Sequence, residues 1–356
     1  MPVPLIDPFG RQVKDLRISI TDRCNFRCTY CMPEEGMEWL ARDELLTYEE
    51  QARIARVCVE GFGFEAIRIT GGEPTVRAHL PRLIGMLAPL GVDLAMTTNG
   101  TKLAEMAHDL AAAGLRRINV SLDSLRPDVF FELTRRDELD RVIGGVDAAL
   151  DAGLDPVKVN CVVIRGVNDD EVVDLAAFGR DCGVGVRFIE FMPLDAGGGW
   201  TMDQVVPARE ILDRVDAVFP LERAATGASE GERRELASER APAGRVSRPA
   251  ASERVKEEPA ELYRYADGRG DVGVIASVTE PFCESCDRVR VTAEGKFRTC
   301  LFALEEFDLR AIVRDGGSDD DLTAEIERAV GTKWAGHRIG QVNFVRPERS
   351  MSQIGG

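Results

Sequence analysis

The sequence predicts an α/β fold: a partial (β/α)6 barrel, like an incomplete TIM barrel, followed by a C-terminal region of strands and helix. Between about Leu16 and Met192, six short β-like runs alternate with helical stretches. Such alternation is typical of parallel strands joined by right-handed helical crossovers. Six units are fewer than the eight of a closed barrel, so an open, partial barrel is expected, with a doubly wound sheet as the alternative.

The six β-like runs are LRISIT, AIRIT, VDLAMTTNG, RRINVSLDS, VKVNCVVIR and VRFIEFM. The helical stretches between them carry their own signals. Thr47 followed by Glu50 is a capping box that opens one helix. Apolar residues recur at i, i+3, i+4 and i+7 in stretches that begin at Leu103 and Val142.

Alternation within the strands predicts a polar interior. In the first strand Leu16, Ile18 and Ile20 share one face, and this apolar face should meet the helices. The opposite, polar faces should line the inside and gather five side chains in one cavity: Arg17, Arg68, Thr97, Ser121 and Lys158. Cations buried there are costly without an anionic partner, which favours an anionic ligand. The alternative is reversed parity, with these faces in solvent; the sixth strand is left unassigned.

The composition narrows the class of protein. The 356 residues are 44% hydrophobic and carry a net charge of −16, which argues against a broad nucleic-acid-binding surface. No apolar run approaches the roughly 20 residues that span a bilayer. The start, MPVPLIDPFGR, lacks the pattern of a secretory signal, so a cytoplasmic location is expected. Nine cysteines, an odd number, make a disulfide framework a poor interpretation.

Three domains are predicted: 1–221 as the barrel, 222–258 as an insertion or linker, and 259–356 as a C-terminal region. The middle segment has no aromatic residue and is rich in Ala, Glu, Arg, Ser and Pro. Such a composition cannot bury enough apolar surface to fold, so disorder is expected there.

The first chemical motif is Cys24-x3-Cys28-x2-Cys31, directly after the first strand. Three thiolates on a short loop can hold three corners of a [4Fe–4S] cluster, which normally takes four cysteines. The iron without a protein ligand is then open to a small molecule, as the open position of catalytic zinc is. The alternatives are a zinc site or chance spacing.

The second motif is TGGEP, residues 70–74, at the end of the second strand. Two adjacent glycines permit unusual backbone angles and a close approach to a ligand. Alone, this motif is more often an ordinary turn.

The third motif is Cys283-x2-Cys286-x13-Cys300, a second set of three cysteines. Arg288 and Arg290 lie within it, and their i, i+2 spacing in a strand places them on one face. A cluster with a free iron beside two arginines suits an anionic substrate. The alternative is a zinc knuckle completed by His337 or another cysteine.

The first two motifs together resemble the radical S-adenosylmethionine (SAM) superfamily. In that superfamily the open iron chelates the methionine part of SAM, and an electron from the cluster splits SAM to give a 5′-deoxyadenosyl radical. The resemblance implies that Cys24, Cys28 and Cys31 hold the cluster. The positions that match SAM contacts are Tyr30, Gly72, Ser121 and Met192.

The third motif narrows the resemblance to the GTP 3′,8-cyclase family (molybdenum cofactor biosynthesis protein A), radical SAM lyases that act first in molybdenum cofactor biosynthesis. The match runs nearly end to end and includes LRISITDRCNFRCTYCMP, RITGGEPTVR, TTNG, INVSLDSL, VKVNCVV, RFIEFMP, FCESCDRVR and the terminal IGG. It implies a second [4Fe–4S] cluster on Cys283, Cys286 and Cys300 that binds the guanine of GTP. The positions that match GTP contacts are Arg17, Arg68, Thr97, Lys158, Arg288 and Arg290.

The resemblance also implies a reaction. The deoxyadenosyl radical removes hydrogen from ribose C3′, the carbon radical attacks guanine C8, and an electron and a proton complete 3′,8-cyclo-7,8-dihydro-GTP. Arg288 or Arg290 is expected to assist the last reduction. Gly355 and Gly356 are expected to reach into the active site; the alternative is a frayed terminus.

The implied partners are GTP, an external electron donor and, downstream, cyclic pyranopterin monophosphate synthase, with no nucleic acid and no membrane. A monomer or a homodimer is expected. Two alternatives remain: a radical SAM enzyme that modifies peptides and carries an auxiliary cluster, and a zinc-stabilised scaffold without activity. Among the remaining cysteines, Cys58 and Cys161 are expected to be core thiols, and Cys182 is undecided.

Overall fold

The computed structural model describes residues 2–195, 197–224 and 260–355. A hairpin of β1 (Leu5–Ile6) and β2 (Gln12–Val13) precedes the barrel. The barrel strands are β3 (Asp15–Ser19), β4 (Ala66–Thr70), β5 (Asp93–Thr98), β6 (Arg117–Ser121), β7 (Val157–Val163) and β8 (Gly185–Glu190). Each pairs in parallel with the next along the chain, so the predicted series of six parallel strands is confirmed.

Helices follow the strands, and three of them contain the stretches predicted to be helical. They are α1 (Tyr48–Arg56), α2 (Leu80–Leu87), α3 (Leu103–Ala113), α4 (Pro127–Thr134), α5 (Leu139–Asp151), α6 (Val172–Cys182) and α7 (Ala208–Asp216). The capping box of α1 is present: the Thr47 hydroxyl accepts from the Glu50 N–H at 3.1 Å, and the Glu50 carboxylate accepts from the Thr47 N–H at 2.7 Å. The periodic faces of α3 and α5 are buried at Leu103, Leu110 and Val142.

The predicted facing of the strands is confirmed. Ile18, Ile67 and Val159 are almost completely buried and belong to one hydrophobic cluster with helix residues such as Ile54 and Leu83. The apolar faces of the strands therefore meet the helices, and the polar faces point to the other side of the sheet. Reversed parity is excluded for these strands.

The C-terminal strands extend the barrel sheet at both edges. They are β9 (Leu221–Arg223), β10 (Glu261–Tyr265), β11 (Asp271–Ile275), β12 (Arg288–Val291), β13 (Lys296–Arg298) and β14 (Phe307–Asp308). In the described part of the chain the order is β14-β13-β12-β3-β4-β5-β6-β7-β8-β11-β10-β9. Because β11 is parallel to β8 and β12 is parallel to β3, two further strands join the parallel series.

Three C-terminal helices complete the description: α8 (Leu309–Arg314), α9 (Asp319–Val330) and α10 (Met351–Ile354). The segment predicted as an insertion lies mostly outside the described residues. Its first two residues, Glu222 and Arg223, belong to β9 and pair with β10. No helix within the described ranges has the length and apolar character needed to cross a membrane.

The three scattered cysteines agree with their predicted roles where one was given. Cys58 and Cys161 are fully buried in the hydrophobic cluster, as expected of core thiols. Cys182 ends α6 and is half-buried against the same cluster.

Candidate active site

The first cysteine loop leaves the carboxyl end of β3. Cys24, Cys28 and Cys31 are partly buried there. A turn brings the backbone N–H of Cys31 to within 2.9 Å of the Cys28 carbonyl. The loop is also tied to α4, because the Thr29 N–H donates to the Leu133 carbonyl at 2.9 Å. The three thiols are thus displayed by a loop with fixed backbone contacts.

The glycine pair of TGGEP packs directly on this loop. The Gly72 N–H donates to the Thr21 carbonyl at 2.7 Å. A Cβ atom at Gly72 would overlap the backbone carbonyl oxygens of Asp22 and Arg23, two residues before the first cysteine. Only glycine permits this approach, so the motif sets the position of the cysteine loop relative to β4.

Glu73, the next residue, connects two motifs and was not singled out from the sequence. Its buried carboxylate accepts hydrogen bonds from the Thr98 hydroxyl at 2.7 Å and the Asn99 N–H at 2.6 Å. Burial raises the pKa of Glu73, although these donors oppose the shift. Asn99 in turn donates to Asn25 at 2.8 Å, beside Cys24. Glu73 therefore holds TTNG and TGGEP together at the ends of β4 and β5.

Tyr30 has a buried partner that was also not singled out. Its hydroxyl donates to Asp123 Oδ2 at 2.6 Å, and Asp123 Oδ1 accepts from the Val162 N–H at 2.8 Å. Burial raises the pKa of Asp123 to about 6, because desolvation outweighs these two donors. Ser121, on the inner face of β6, lies two residues before Asp123. The hydrogen bond from Tyr30 to Asp123 therefore links Tyr30 to the segment that carries Ser121, the other predicted SAM-contact position.

The second cysteine set lies at the opposite end of the strands. Cys283 and Cys286 come immediately before β12, whose first residue Arg288 pairs with Asp15 at the beginning of β3. Cys300 follows β13, which runs antiparallel to β12 and returns to the same end. The two sets therefore occupy the carboxyl and the amino ends of one barrel.

Lys333 joins the two arms of the second set and was not predicted. Its ammonium donates to the carbonyl oxygens of Arg288 and Thr299, both at 2.7 Å, and lies 4.0 Å from Cys286 Sγ. Burial acts to raise the pKa of the Cys286 thiol, but the charges of Arg288 and Lys333 lower it overall. No sequence motif marks Lys333.

The N-terminal hairpin supports this second set. Arg11 donates to the Cys283 carbonyl at 2.5 Å and to the Ala335 carbonyl at 2.8 Å, and its Nε donates to Asp7. His337, which the zinc alternative proposed as a ligand, accepts through Nδ1 from the Ile339 N–H at 3.3 Å. Its ring packs against Phe302, with 5.2 Å between centroids.

Three arginines stand side by side on the inner face. Arg290 of β12 pairs in register with Arg17 of β3, which pairs with Arg68 of β4. Burial, followed by the charges of Arg290 and Arg68, holds the pKa of Arg17 well below its usual range. Among the described residues, Arg17 Nε has no hydrogen-bond partner. Such a row of like charges is costly by itself and complementary to a polyanion.

The other predicted inner residues continue this surface. Asn119 of β6 pairs with Thr97 of β5 on one side and with Lys158 of β7 on the other. Ser121 of β6 pairs with Asn160 of β7. Within the described ranges Asn160 Oδ1 accepts no hydrogen bond. Arg187 of β8, whose strand was left unassigned, donates to Asp271 at 2.6 Å.

The C-terminal tail is docked inside the barrel. The Arg290 guanidinium donates to the Gly355 carbonyl, and a Cβ atom at Gly355, where φ is +88°, would overlap Thr70 and Ser19. Burial raises the pKa of Cys31 to about 11, and hydrogen-bonding groups of Ser352 on this tail oppose that rise. The described part of the tail is therefore not frayed, and it contacts Arg290 as well as the carboxyl ends of β3 and β4. Gly356 lies outside the described residues.

Met192 belongs to the same apolar cluster as residues of this tail. It lies just after β8 in a second hydrophobic cluster that also contains Leu194, Cys300, Met351 and Ile354. Met192 therefore shares one apolar cluster with the end of the chain and with a cysteine of the second set.

Each cysteine set offers the type of donor that an iron–sulfur cluster requires. In a [4Fe–4S] cluster each thiolate binds a different iron. The donor sets, three cysteines each, fit two such clusters with one iron left open in each.

Comparison with known proteins identifies the family of the chain. Residues 18–179 match the radical SAM superfamily, and residues 235–339 match the family described as Molybdenum Cofactor Synthesis C. The chain is 47% identical over 354 residues to the GTP 3′,8-cyclase of Streptomyces coelicolor, covering 99% of this chain and 96% of that protein. This chain belongs to the GTP 3′,8-cyclase family.

Other family members agree over similar lengths. The GTP 3′,8-cyclase of Paenarthrobacter nicotinovorans is 46% identical, over 99% of this chain and 97% of that protein. The GTP 3′,8-cyclase of Rhodopirellula baltica is 45% identical, over 100% of this chain and 93% of that protein. Among solved structures, Streptococcus suis SuiB bound to precursor peptide SuiA matches 61% of this chain and 47% of its own, at 19% identity and a TM-score of 0.48. The predicted fold class and the radical SAM resemblance are confirmed by the two family matches.

Proposed function

We propose that this chain is a GTP 3′,8-cyclase that converts GTP to (8S)-3′,8-cyclo-7,8-dihydroguanosine 5′-triphosphate, the first step of molybdenum cofactor biosynthesis. The observation that carries this proposal is the row of Arg290, Arg17 and Arg68, which lies between two cysteine sets at opposite ends of one barrel. The family relationship over nearly the whole chain supports the same activity.

At the carboxyl end, three thiolates hold the first cluster: Cys24, Cys28 and Cys31. Tyr30, Gly72, Ser121 and Met192 contact SAM in this proposal. When bound, the cluster and SAM supply the one-electron chemistry that starts the reaction on ribose. The protein contributes the closely packed glycine loop and the buried Tyr30–Asp123 contact, which keep this end of the site in one geometry.

At the amino end, three thiolates hold the second cluster: Cys283, Cys286 and Cys300. The guanine of GTP binds there, and six side chains hold the nucleotide: Arg17, Arg68, Thr97, Lys158, Arg288 and Arg290. Guanidinium groups bind phosphate through charge-assisted and often bidentate hydrogen bonds. This explains why a protein with a net charge of −16 carries a cationic interior.

Ring closure joins ribose C3′ to guanine C8, so the nucleotide must be held in a bent conformation. A row of fixed cations at one point of the barrel and a base-binding site at its end impose this geometry. Positioning of this kind lowers the entropic part of the barrier. The docked tail covers the same interior and helps to exclude water.

Arg288 or Arg290 also assists the final reduction in this proposal, because both lie beside the second cysteine set. Replacing each by Ala should lower turnover or GTP affinity by roughly tenfold or more, since each loses a charge-assisted contact. Steady-state turnover and equilibrium GTP binding measure the two effects. Unchanged values in both variants would remove this role.

Gly355 and Gly356 complete the active site in this proposal. Deletion of the two residues should abolish ring closure and leave iron content unchanged, because the six cysteines remain. Product analysis and iron determination on the truncated protein test this. Normal product formation would show that the tail is dispensable.

The decisive experiment is anaerobic reconstitution followed by incubation with SAM, GTP and a reductant. We expect about eight irons per chain, a brown colour and the cyclic nucleotide. One or two zinc ions without colour would support the scaffold alternative instead. Eight irons without GTP turnover, but with modification of a peptide, would support the peptide-modifying alternative.

The finer partners also belong to this proposal. An external electron donor reduces the clusters, and the product passes to cyclic pyranopterin monophosphate synthase. The protein acts in the cytoplasm as a monomer or homodimer. Sedimentation of the reconstituted protein measures its oligomeric state.

A further inference from the structure

A network of four charged side chains precedes the docked tail. Arg349 Nη1 lies 2.5 Å from Glu294 Oε1, and Arg349 Nε lies 2.7 Å from Glu306 Oε1. A second guanidinium nitrogen of Arg349 donates to Glu306 Oε2 at 2.8 Å, so this pair is bidentate. Arg298 donates to the same Glu306 carboxylate. Two positive and two negative groups close the network.

The partners of Arg349 all come from the segment that begins with the turn after β12. Arg298 lies in β13 and pairs in register with Arg290. Glu294 lies in the turn between β12 and β13, and Glu306 follows Cys300 by six residues. The network therefore starts on the hairpin that carries the arginines of the site and ends one residue before the tail.

The network is largely shielded from solvent. The side chains of Arg298 and Glu294 are 2% and 6% exposed, and those of Glu306 and Arg349 are 19% and 26% exposed. Buried ion pairs add little net stability when intact, but loss of one partner leaves an uncompensated charge. Their best-attested use is to fix one arrangement among several.

The tail needs such an anchor. Helix α10 has only four residues, and helices this short are not stable on their own. Ser350 caps it, with its N–H donating to Gln353 Oε1 at 3.0 Å, but this contact lies within the tail itself. Arg349 is the adjacent residue and connects the tail to the hairpin.

We propose that Arg349 is a positioning residue that clamps the C-terminal tail in the barrel. By holding Glu294 in the β12–β13 turn and Glu306 just before β14, it sets where α10 begins and so where the Gly355 carbonyl meets Arg290. The placement of the tail is thereby tied to the same hairpin that presents Arg288 and Arg290. Only the expected effect on turnover rests on the proposed function.

The test is hydrogen–deuterium exchange of the reconstituted holoprotein without SAM or GTP. The reporters are the amides of Ile354 and Gly355, which donate to the carbonyls of Ser350 and Met351 at 3.2 and 2.9 Å. In Arg349→Gln we expect these amides to exchange roughly tenfold faster or more, because the tail undocks locally. Arg349→Lys, which keeps the charge but not the bidentate geometry, should fall in between.

Arg346→Gln is the matched control. Arg346 lies on the same segment, is about one-third exposed, and pairs with Asp195 at 3.2 Å outside the network. Its replacement should leave exchange of the tail amides unchanged. The amides of β4 serve as an internal reference for global stability.

Equal protection of the tail amides in Arg349→Gln and in the unsubstituted protein would overturn the clamp, whatever the activity. If the β4 amides also exchange faster in Arg349→Gln, that variant is globally destabilised. The exchange of the tail amides in Arg349→Lys is then compared with that in the unsubstituted protein, and equal protection again overturns the clamp. Turnover is a separate readout: we expect a lower kcat in Arg349→Gln with iron content unchanged. If the unsubstituted protein does not turn over GTP, the proposed function is refuted. The clamp still holds in that case if the tail amides exchange faster in Arg349→Gln.

Discussion

Lys333 illustrates how single buried charges build this site. Lys333 is only 4% exposed, and the two oxygen atoms that accept from its ammonium are backbone carbonyls on opposite arms of the second cysteine set. Within the described ranges no carboxylate lies within 4.0 Å of it. A buried cation needs a compensating negative charge, which thiolates bound to a cluster supply.

Replacing Lys333 by Met should therefore impair the second cluster. We expect iron to fall from about eight toward about four per chain, because the carbonyls of Arg288 and Thr299 lose their common donor. Any second cluster that does assemble should have a more negative reduction potential, since the nearby positive charge is lost. Iron analysis and redox titration followed by electron paramagnetic resonance measure both.

The control for this variant is Lys296→Met, on the neighbouring β13. Lys296 pairs with Asp308 at 2.5 Å and is more exposed than Lys333. It should keep full iron content. Full loading and an unchanged potential in Lys333→Met would contradict the role assigned to this ammonium.

At the scale of elements, the loops at the strand ends do the positioning. The cysteine loop after β3, TGGEP at the end of β4 and TTNG at the end of β5 are joined by backbone contacts and by the buried Glu73 carboxylate. Parallel neighbouring strands bring their carboxyl ends to one edge, so loops distant in sequence become adjacent in space. Each loop depends on its neighbour for its conformation.

Substituting Gly72 by Ala tests this dependence. The new Cβ would overlap the carbonyls of Asp22 and Arg23, so the cysteine loop must shift. We expect a loss of about 1–3 kcal/mol of stability and poor loading of the first cluster. Urea unfolding and iron analysis are the measurements.

Gly85→Ala is the matched glycine control. Gly85 lies in α2 with no atom near the position of a new Cβ. Alanine is favoured over glycine in a helix, so this variant should be more stable by up to about 1 kcal/mol. A Gly72→Ala protein with normal iron and normal stability would argue against the packing described.

At the scale of the whole molecule, the C-terminal strands bring the two cysteine sets to opposite ends of one interior. β12 adds to the edge at β3 and β11 to the edge at β8, so the connection between them carries Cys283 and Cys286 across the open side of the sheet. The cationic row that results is unfavourable in the free protein. Binding sites commonly trade stability for function in this way.

The Arg17→Gln variant tests whether the cationic row lowers stability and raises GTP affinity. Without ligand we expect the variant to be more stable by ~1 kcal/mol, because one of three adjacent cations is removed. GTP affinity should fall roughly tenfold or more, because a charge-assisted contact is lost. Thermal unfolding with and without GTP measures both effects in one experiment.

Arg56→Gln provides the comparison. Arg56 is 45% exposed and pairs with Asp319 at 3.1 Å on the surface, where ion pairs contribute little. Neither GTP binding nor stability should change much. If Arg17→Gln is destabilised without ligand, or binds GTP normally, then the row is not a polyanion site.

Much of the fold and part of the site follow from local sequence signals. The alternation of apolar and polar residues predicted which side chains face the helices. This was possible because side chains of one strand point alternately to its two faces, whatever the neighbouring strands are. The capping box at Thr47 and the burial of Cys58 and Cys161 were likewise predicted from near neighbours. The two cysteine motifs were visible because the ligands of each set lie close together in the chain.

Only the tertiary structure decided how these pieces meet. The extension of the barrel sheet at both edges, the contacts of Lys333 with Arg288 and Thr299, and the clamp at Arg349 all join segments far apart in sequence. No local pattern marks such partners, because the contact free energy depends on long-range packing. The sequence by itself therefore determined the faces and the motifs, and the folded chain determined that two cysteine sets, one cationic row and the C-terminal tail share one interior.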